Sequence, residues 1–207
     1  MKTLIKSLLG AAIIVAAPVF GSNAAIAQVS NVATANPTIA IARTKAFSTG
    51  YSQIGTQYKS FLDQVATRQQ TLNNLRAQLD TDGNKQLTQA ELDAAVNSNN
   101  PVIKSIQTEE TEIAKLQAPA LKAQMFVIES IFKEYGNAQQ QVVSDKKIGA
   151  ILSPESFLYI QPSADVTTAI TTVLDSRVPS VAITPPADWN PNRNIVALHQ
   201  QLSLIHI

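Results

Sequence analysis

Apolar residues at Tyr51, Ile54, Tyr58, Phe61, Val65, Leu72, Leu75 and Leu79 recur in alternating steps of three and four, and Arg68 fills the single gap. This is a heptad seam held for about four repeats, the pattern of a long helix that packs along a partner helix. The helix is expected over residues 49–79. It stops at Asp80-Thr81-Asp82-Gly83-Asn84, a cluster of turn residues. A second helical region starts near Thr88, pauses at residues 97–101, and restarts where an Asn cap is followed by Pro101 at the first helical position. From there Ile103, Ile106, Ile113, Leu116, Ala120, Val127, Ile128, Ile131 and Tyr135 continue a poorer seam. Pro119 lies inside it and is expected to kink or split the helix. Two antiparallel helices joined by a tight turn make a helical arm.

The flanks read differently. Lys2 and Lys6 precede an apolar run over residues 8–20, and Ala25-Ile26-Ala27 offers small residues for cleavage before Gln28, the pattern of an export signal over residues 1–27. The run is broken by Gly10 and Pro18 and is short for a membrane span, so no stable membrane insertion is expected. Residues 28–37 are small and polar and read as a disordered leader. Ile39-Ala40-Ile41-Ala42 alternates as a strand does. After Gly136, residues 148–152 and 157–160 are short apolar runs bridged by Ser153-Pro154-Glu155-Ser156, which reads as a β-hairpin. A last helix opens at Pro162, capped by Ser163 or Asp165, and ends by Pro179. Residues 180–201, with Pro185, Pro186, Trp189 and Pro191, read as an extended tail. Trp189 fits a partner's groove and a fold back onto the body equally well. The last six residues, 202–207, are what a transposon-end adapter encodes in frame; they are expected to be foreign, and His206 receives no functional weight.

Composition limits the chemistry. There is no cysteine, so disulfides and thiol chemistry are excluded. Lys plus Arg is 16 against 15 for Asp plus Glu, and without Lys2 and Lys6 the balance is 14 to 15. No charge bias points to nucleic acid or an acidic membrane surface. The histidines, His199 and His206, both lie in the tail, leaving no material for a triad. The pair Glu109-Glu110 reads as a solvated helix face. An enzyme is not expected, because nothing suggests the buried, perturbed groups of acid–base work.

The order strand, long helical hairpin, β-hairpin and short helix resembles the Skp/OmpH family of periplasmic chaperones. Ile39-Ala40-Ile41-Ala42, leading through Lys45-Ala46-Phe47, sits where the family has its first strand, and Tyr135-Gly136 lies just before its second strand, at the end of the long returning helix. Phe157-Leu158-Tyr159-Ile160, followed by Pro162-Ser163-Ala164-Asp165-Val166-Thr167, looks like the family's third strand and the opening of its last helix. The resemblance implies an α+β fold, with a long antiparallel coiled-coil arm on a small β-rich oligomerisation body. The arm would take residues 48–140, and the body residues 38–47 and 141–179, within a domain over 38–179; the Pro-rich tail is 180–207. It also implies a periplasmic homotrimer whose arms enclose unfolded outer-membrane proteins without ATP or any required cofactor. A body of so few strands cannot close its own edges, which also favours self-association. One departure concerns charge, because the family's arms are often basic. Here the outgoing helix carries Lys59, Arg68 and Arg76 against Asp63, while Glu109, Glu110, Glu112, Glu129 and Glu134 on the returning one oppose Lys104, Lys115, Lys122 and Lys133. Client binding should therefore depend only weakly on salt. The rival from another class is a structural coiled-coil envelope protein or a calcium-tuned stalk.

At the tip, residues 80–91 resemble a calcium loop of the EF-hand family. Asp80, Asp82 and Asn84 would supply side chains, Gln86 a backbone carbonyl, Thr88 a side chain or a water, and Glu91 a bidentate carboxylate. Lys85 stands where the loop wants glycine, at a turn whose positive φ costs a non-glycine residue about 1 kcal/mol. The same residues also make sense as a polar turn, with Thr88 and Glu91 as a capping box.

Overall fold

The computed structural model describes residues 31–204, and the expected signal peptide, residues 28–30 and residues 205–207 lie outside them. The chain is mostly helical. Helix α1 spans Pro37–Ala42, α2 Lys45–Gln57, α3 Lys59–Ala77, α4 Gln89–Asn97, α5 Pro101–Lys146, α6 Thr167–Arg177 and α7 Arg193–Leu204. Strands β1 (Val32–Thr34) and β2 (Ala150–Leu152) pair in parallel, with Val32 opposite Ala150 and Thr34 opposite Leu152. Among the described residues, no helix is long and apolar enough to cross a membrane.

The outgoing seam behaves as its spacing predicts, with one interruption. Ile54, Leu72 and Leu79 are buried and Tyr51, Tyr58, Val65 and Leu75 half-buried, while Phe61 faces solvent. The helix breaks at Tyr58, whose φ of −101° and ψ of 12° leave helical space; the amides of Phe61 and Leu62 then both donate to its carbonyl. The returning helix keeps its path through Pro119 and runs unbroken for 46 residues, about 69 Å at 1.5 Å per residue. Asn100 caps it by accepting from the Val102 amide, with Pro101 in the first turn. Lys147, at a φ of 53°, closes its far end, and the Ile148 amide donates back to the Val143 carbonyl.

Several expectations about the flanks are corrected. Ile39-Ala40-Ile41-Ala42 is helix, not strand: the Asn36 side chain accepts from the Ile39 amide at 3.0 Å and Pro37 takes the first helical position. The first strand lies instead within the stretch read as a disordered leader. The β-hairpin is absent as well. Pro154–Ser156 forms a 3-10 turn, β2 pairs with β1 rather than with its successor, and residues 157–160 form no strand. Among the described residues the body is therefore helical with a single pair of strands, not β-rich. Asp165 does serve α6, its Oδ1 accepting from the Thr167 amide at 2.8 Å, and the following Val166 amide donates to the Thr34 carbonyl. The tail is not extended throughout. Its last part is α7, whose Ile195, Leu198 and Leu202 are buried.

Two apolar clusters result. The larger, at the body, gathers Ala40, Ile41, Ile54, Val127, Ile128, Ile131, Ile170 and Leu174 from α1, α2, α5 and α6, with α7 laid over it. The smaller, at the tip, holds Leu72, Leu79, Ala95, Ile106 and Ile113 from α3 to α5.

Candidate functional site

The turn after α3 is organised by its own side chains. Asp80 accepts from the Gly83 amide through Oδ1 at 2.8 Å and from the Lys85 amide through Oδ2 at 2.7 Å. Asp82 accepts from the Asn84 amide at 3.0 Å and from Asn84 Nδ2 at 2.7 Å. Asn84 Oδ1 accepts in turn from the Gln86 amide at 2.7 Å. Short polar side chains bonding amides two to five residues on fix a compact turn without regular structure. Gly83 at a φ of 74° and Lys85 at 65° both occupy the left-handed region, the second being the position where the sequence expects strain.

Glu91 closes the loop from α4. Its Oε2 accepts from the Thr88 amide and hydroxyl at 3.0 and 2.8 Å, and its Oε1 from the Thr81 amide and hydroxyl at 2.6 and 2.9 Å. With Thr88 also accepting from the Glu91 amide, this is a full capping box. The structure thus brings carboxylate oxygens of Asp80, Asp82 and Glu91 within 4.8 Å of one another. Asn84 joins through Asp82 and the Gln86 amide, and Thr88 through Glu91. Gln86 is tied in by its amide alone.

Four donated hydrogen bonds, those of Thr88 foremost and then those of Thr81, hold the Glu91 carboxyl at about 2, well below its ordinary 4.5. A depressed carboxyl favours the folded loop above about pH 4.5, and that contribution is lost as pH falls through about 2. The Thr88 amide resonance should therefore titrate with a midpoint near 2, and not at all in Glu91→Gln. A midpoint at the ordinary glutamate value would contradict the bonding.

Below the tip, two ion pairs cross from α3 to α5: Arg68 Nη1 to Glu109 Oε2 and Arg76 Nη2 to Glu110 Oε1, each 2.9 Å. Glu109 and Glu110 are thus not merely a solvated face. Adjacent residues on a helix diverge, and here each meets a different arginine. Exposed pairs of this kind contribute at most about 1 kcal/mol, so their role is registration more than stability. Arg68, the polar gap in the seam, is half-buried and faces the returning helix, which periodicity alone does not reveal. Between these helices and α4 lies a cleft of about 590 Å³, lined by Leu87, Leu92, Val96, Ile103 and Ile106, with Arg76 and Glu110 also at its wall.

A 46-residue helix packed against a shorter one, an acidic loop that follows the shorter helix and a small strand pair define a mostly helical protein. Residues 31–174 match the family described as Outer membrane protein (OmpH-like), and the chain belongs to that family. Among solved structures it is similar to a Caulobacter crescentus CB15 protein assigned as an OmpH-like outer membrane chaperone. The identity is 17%, with 76% of this chain and 92% of that chain covered and a TM-score of 0.45. A search of curated proteins finds no match.

Proposed function

We propose that this protein is an exported, ATP-independent periplasmic holdase that works as a homotrimer and retains unfolded outer-membrane proteins between its helical arms. The observation that carries this reading is the family match over residues 31–174, which spans both arm helices and both strands. Three local features support it. Phe61, Leu62 and Leu121, all around two-fifths exposed, give the arm dispersed apolar contacts suited to weak, multiple capture of a disordered chain. Residues 158–160 make no backbone hydrogen bond among the described residues, and Leu158 and Tyr159 project fully into solvent. Exposed apolar side chains beside a strand whose outer edge is unpaired among the described residues are suited to association with further copies. Finally, five of the arm's eight basic side chains are answered by carboxylates of the arm itself: Lys59 by Asp63, Arg68 by Glu109, Arg76 by Glu110, Lys115 by Glu112 and Lys133 by Glu129. Capture by bulk positive charge has no support, and the apparent client affinity should change little between low and moderate salt.

The reading extends to calcium at the arm tip. The oxygens of Asp80, Asp82, Asn84 and Glu91, with the Gln86 carbonyl and Thr88, form a donor set suited to a hard cation. Lys85 adds positive charge beside them, and Glu91 must exchange its bonds from Thr81 and Thr88 for the ion. Binding in the weak, extracellular millimolar range follows, with the ion stiffening the tip rather than signalling.

One experiment tests both parts. An unfolded outer-membrane barrel protein is diluted from urea with residues 28–201 of this chain while light scattering is followed, in calcium and in chelator. Suppressed aggregation near one trimer per client is the expected result. Absence of suppression in both conditions would overturn the holdase and leave a structural arm protein. A calcium effect that persists unchanged in Glu91→Gln would overturn the tip site alone.

A further inference from the structure

Three independent features fall at one level of the helical pair. The register between the outgoing helices and α5 is fixed by two anchors: a side chain at Gly50 would meet Val127 at 3.1 Å, and Arg68 meets Glu109 at 2.9 Å. Eighteen residues separate the anchors along each strand of the pair. Tyr58, eight residues past Gly50, therefore lies level with Pro119, eight before Val127. Tyr58 is where α2 gives way to α3, and Pro119 is where α5 loses an amide donor and crowds the carbonyl four residues back. The apolar core divides at the same level. Neither cluster holds a residue between Tyr58 and Val65 on one side, or between Ile113 and Ala120 on the other.

On the body side of that level, α5 is overlaid by a segment that follows the family-matched residues. Val178, Val181 and Ile183 pack on the larger cluster. Trp189 meets Phe126 edge-on at 5.2 Å between ring centres and donates from Nε1 to Glu129 Oε2 at 2.6 Å. In α7, His199 Nε2 pairs with Gln124 Oε1 at 3.0 Å, and Gln201 accepts from the Thr38 hydroxyl of α1 at 3.0 Å. The α5 partners named here, Gln124, Phe126 and Glu129, all lie on the body side of Pro119.

We infer that residues 178–201 are a strap that clamps the base of α5 to the body and so fixes the arm's pivot at Tyr58 and Pro119. The clamped half has many buried neighbours and the level beyond it has few, which is the condition for local opening below the free energy of global unfolding. This inference stands whether or not the holdase reading does.

Amide hydrogen exchange on the full chain tests it. The wild type should show a fast zone at residues 59–61 and 115–118, about tenfold quicker than the helices on either side. Pro119→Ala should narrow that zone. Trp189→Ala should spread it along α5 through Gln124 to Glu129, with Leu198→Asp used if α7 stays protected. Uniform protection through the Tyr58 level overturns the pivot. Unchanged α5 protection once α7 exchanges freely, or global unfolding on strap release, overturns the strap's role.

Discussion

Replacing Leu158 and Tyr159 together by serine is expected to convert the proposed homotrimer to monomers, read as a threefold fall in mass by light scattering after gel filtration. The two side chains are adjacent and highly exposed, at 109% and 79%. They follow a 3-10 turn at Pro154–Ser156 in a segment whose backbone is extended at Phe157 and again at Gln161. Within one chain they contribute nothing to packing, so the monomer's fold should hold to within about 0.5 kcal/mol. Between chains each would contribute about 1.5–3 kcal/mol when fully buried, and in a ring that contribution recurs at every interface. Far-ultraviolet circular dichroism should be unchanged. A variant that keeps the wild-type mass would place the self-contact elsewhere and remove this support for the trimer.

What the sequence made legible was local. The outgoing seam, the Asn100-Pro101 restart and the Thr88–Glu91 capping box depend on neighbours within one or two turns, and each is present in the structure. Asn36-Pro37 carries the same cap signal as Asn100-Pro101, and that signal, rather than the alternation of Ile39-Ala40-Ile41-Ala42, decides the element. Two apolar residues at alternate positions are too few to decide a period. The strands were illegible for another reason: Val32–Thr34 is three residues long and its partner is more than a hundred residues away. In α7 the signal was available, since Ile195, Leu198 and Leu202 are spaced three and four apart, but the prolines before it suggested a tail. Trp189, open to two readings, folds back onto Phe126 and Glu129. The arginine partners of Glu109 and Glu110 needed the register of two helices, which no single-helix pattern contains.

The division of the core gives isoleucine two different values in one helix. Ile128 has no exposed surface and belongs to the cluster built by α1, α2, α5, α6 and α7; Ile113, 7% exposed, belongs to the smaller tip cluster. Ile128→Ala should cost about 4 kcal/mol and Ile113→Ala about 2 kcal/mol, because a cavity among many fixed neighbours relaxes less than one between two helices. At 2–4 °C per kcal/mol for a chain of this size, the first should lower the melting temperature by roughly 10 °C. The second should act on the arm alone. It should accelerate amide exchange at residues 103–113 while leaving α6 as protected as before, because the level of Tyr58 and Pro119 does not transmit the loss. Urea unfolding and exchange together decide the point. Equal costs, with exchange accelerated in both clusters by either substitution, would mean that arm and body unfold as one unit and that the break at Tyr58 is energetically silent.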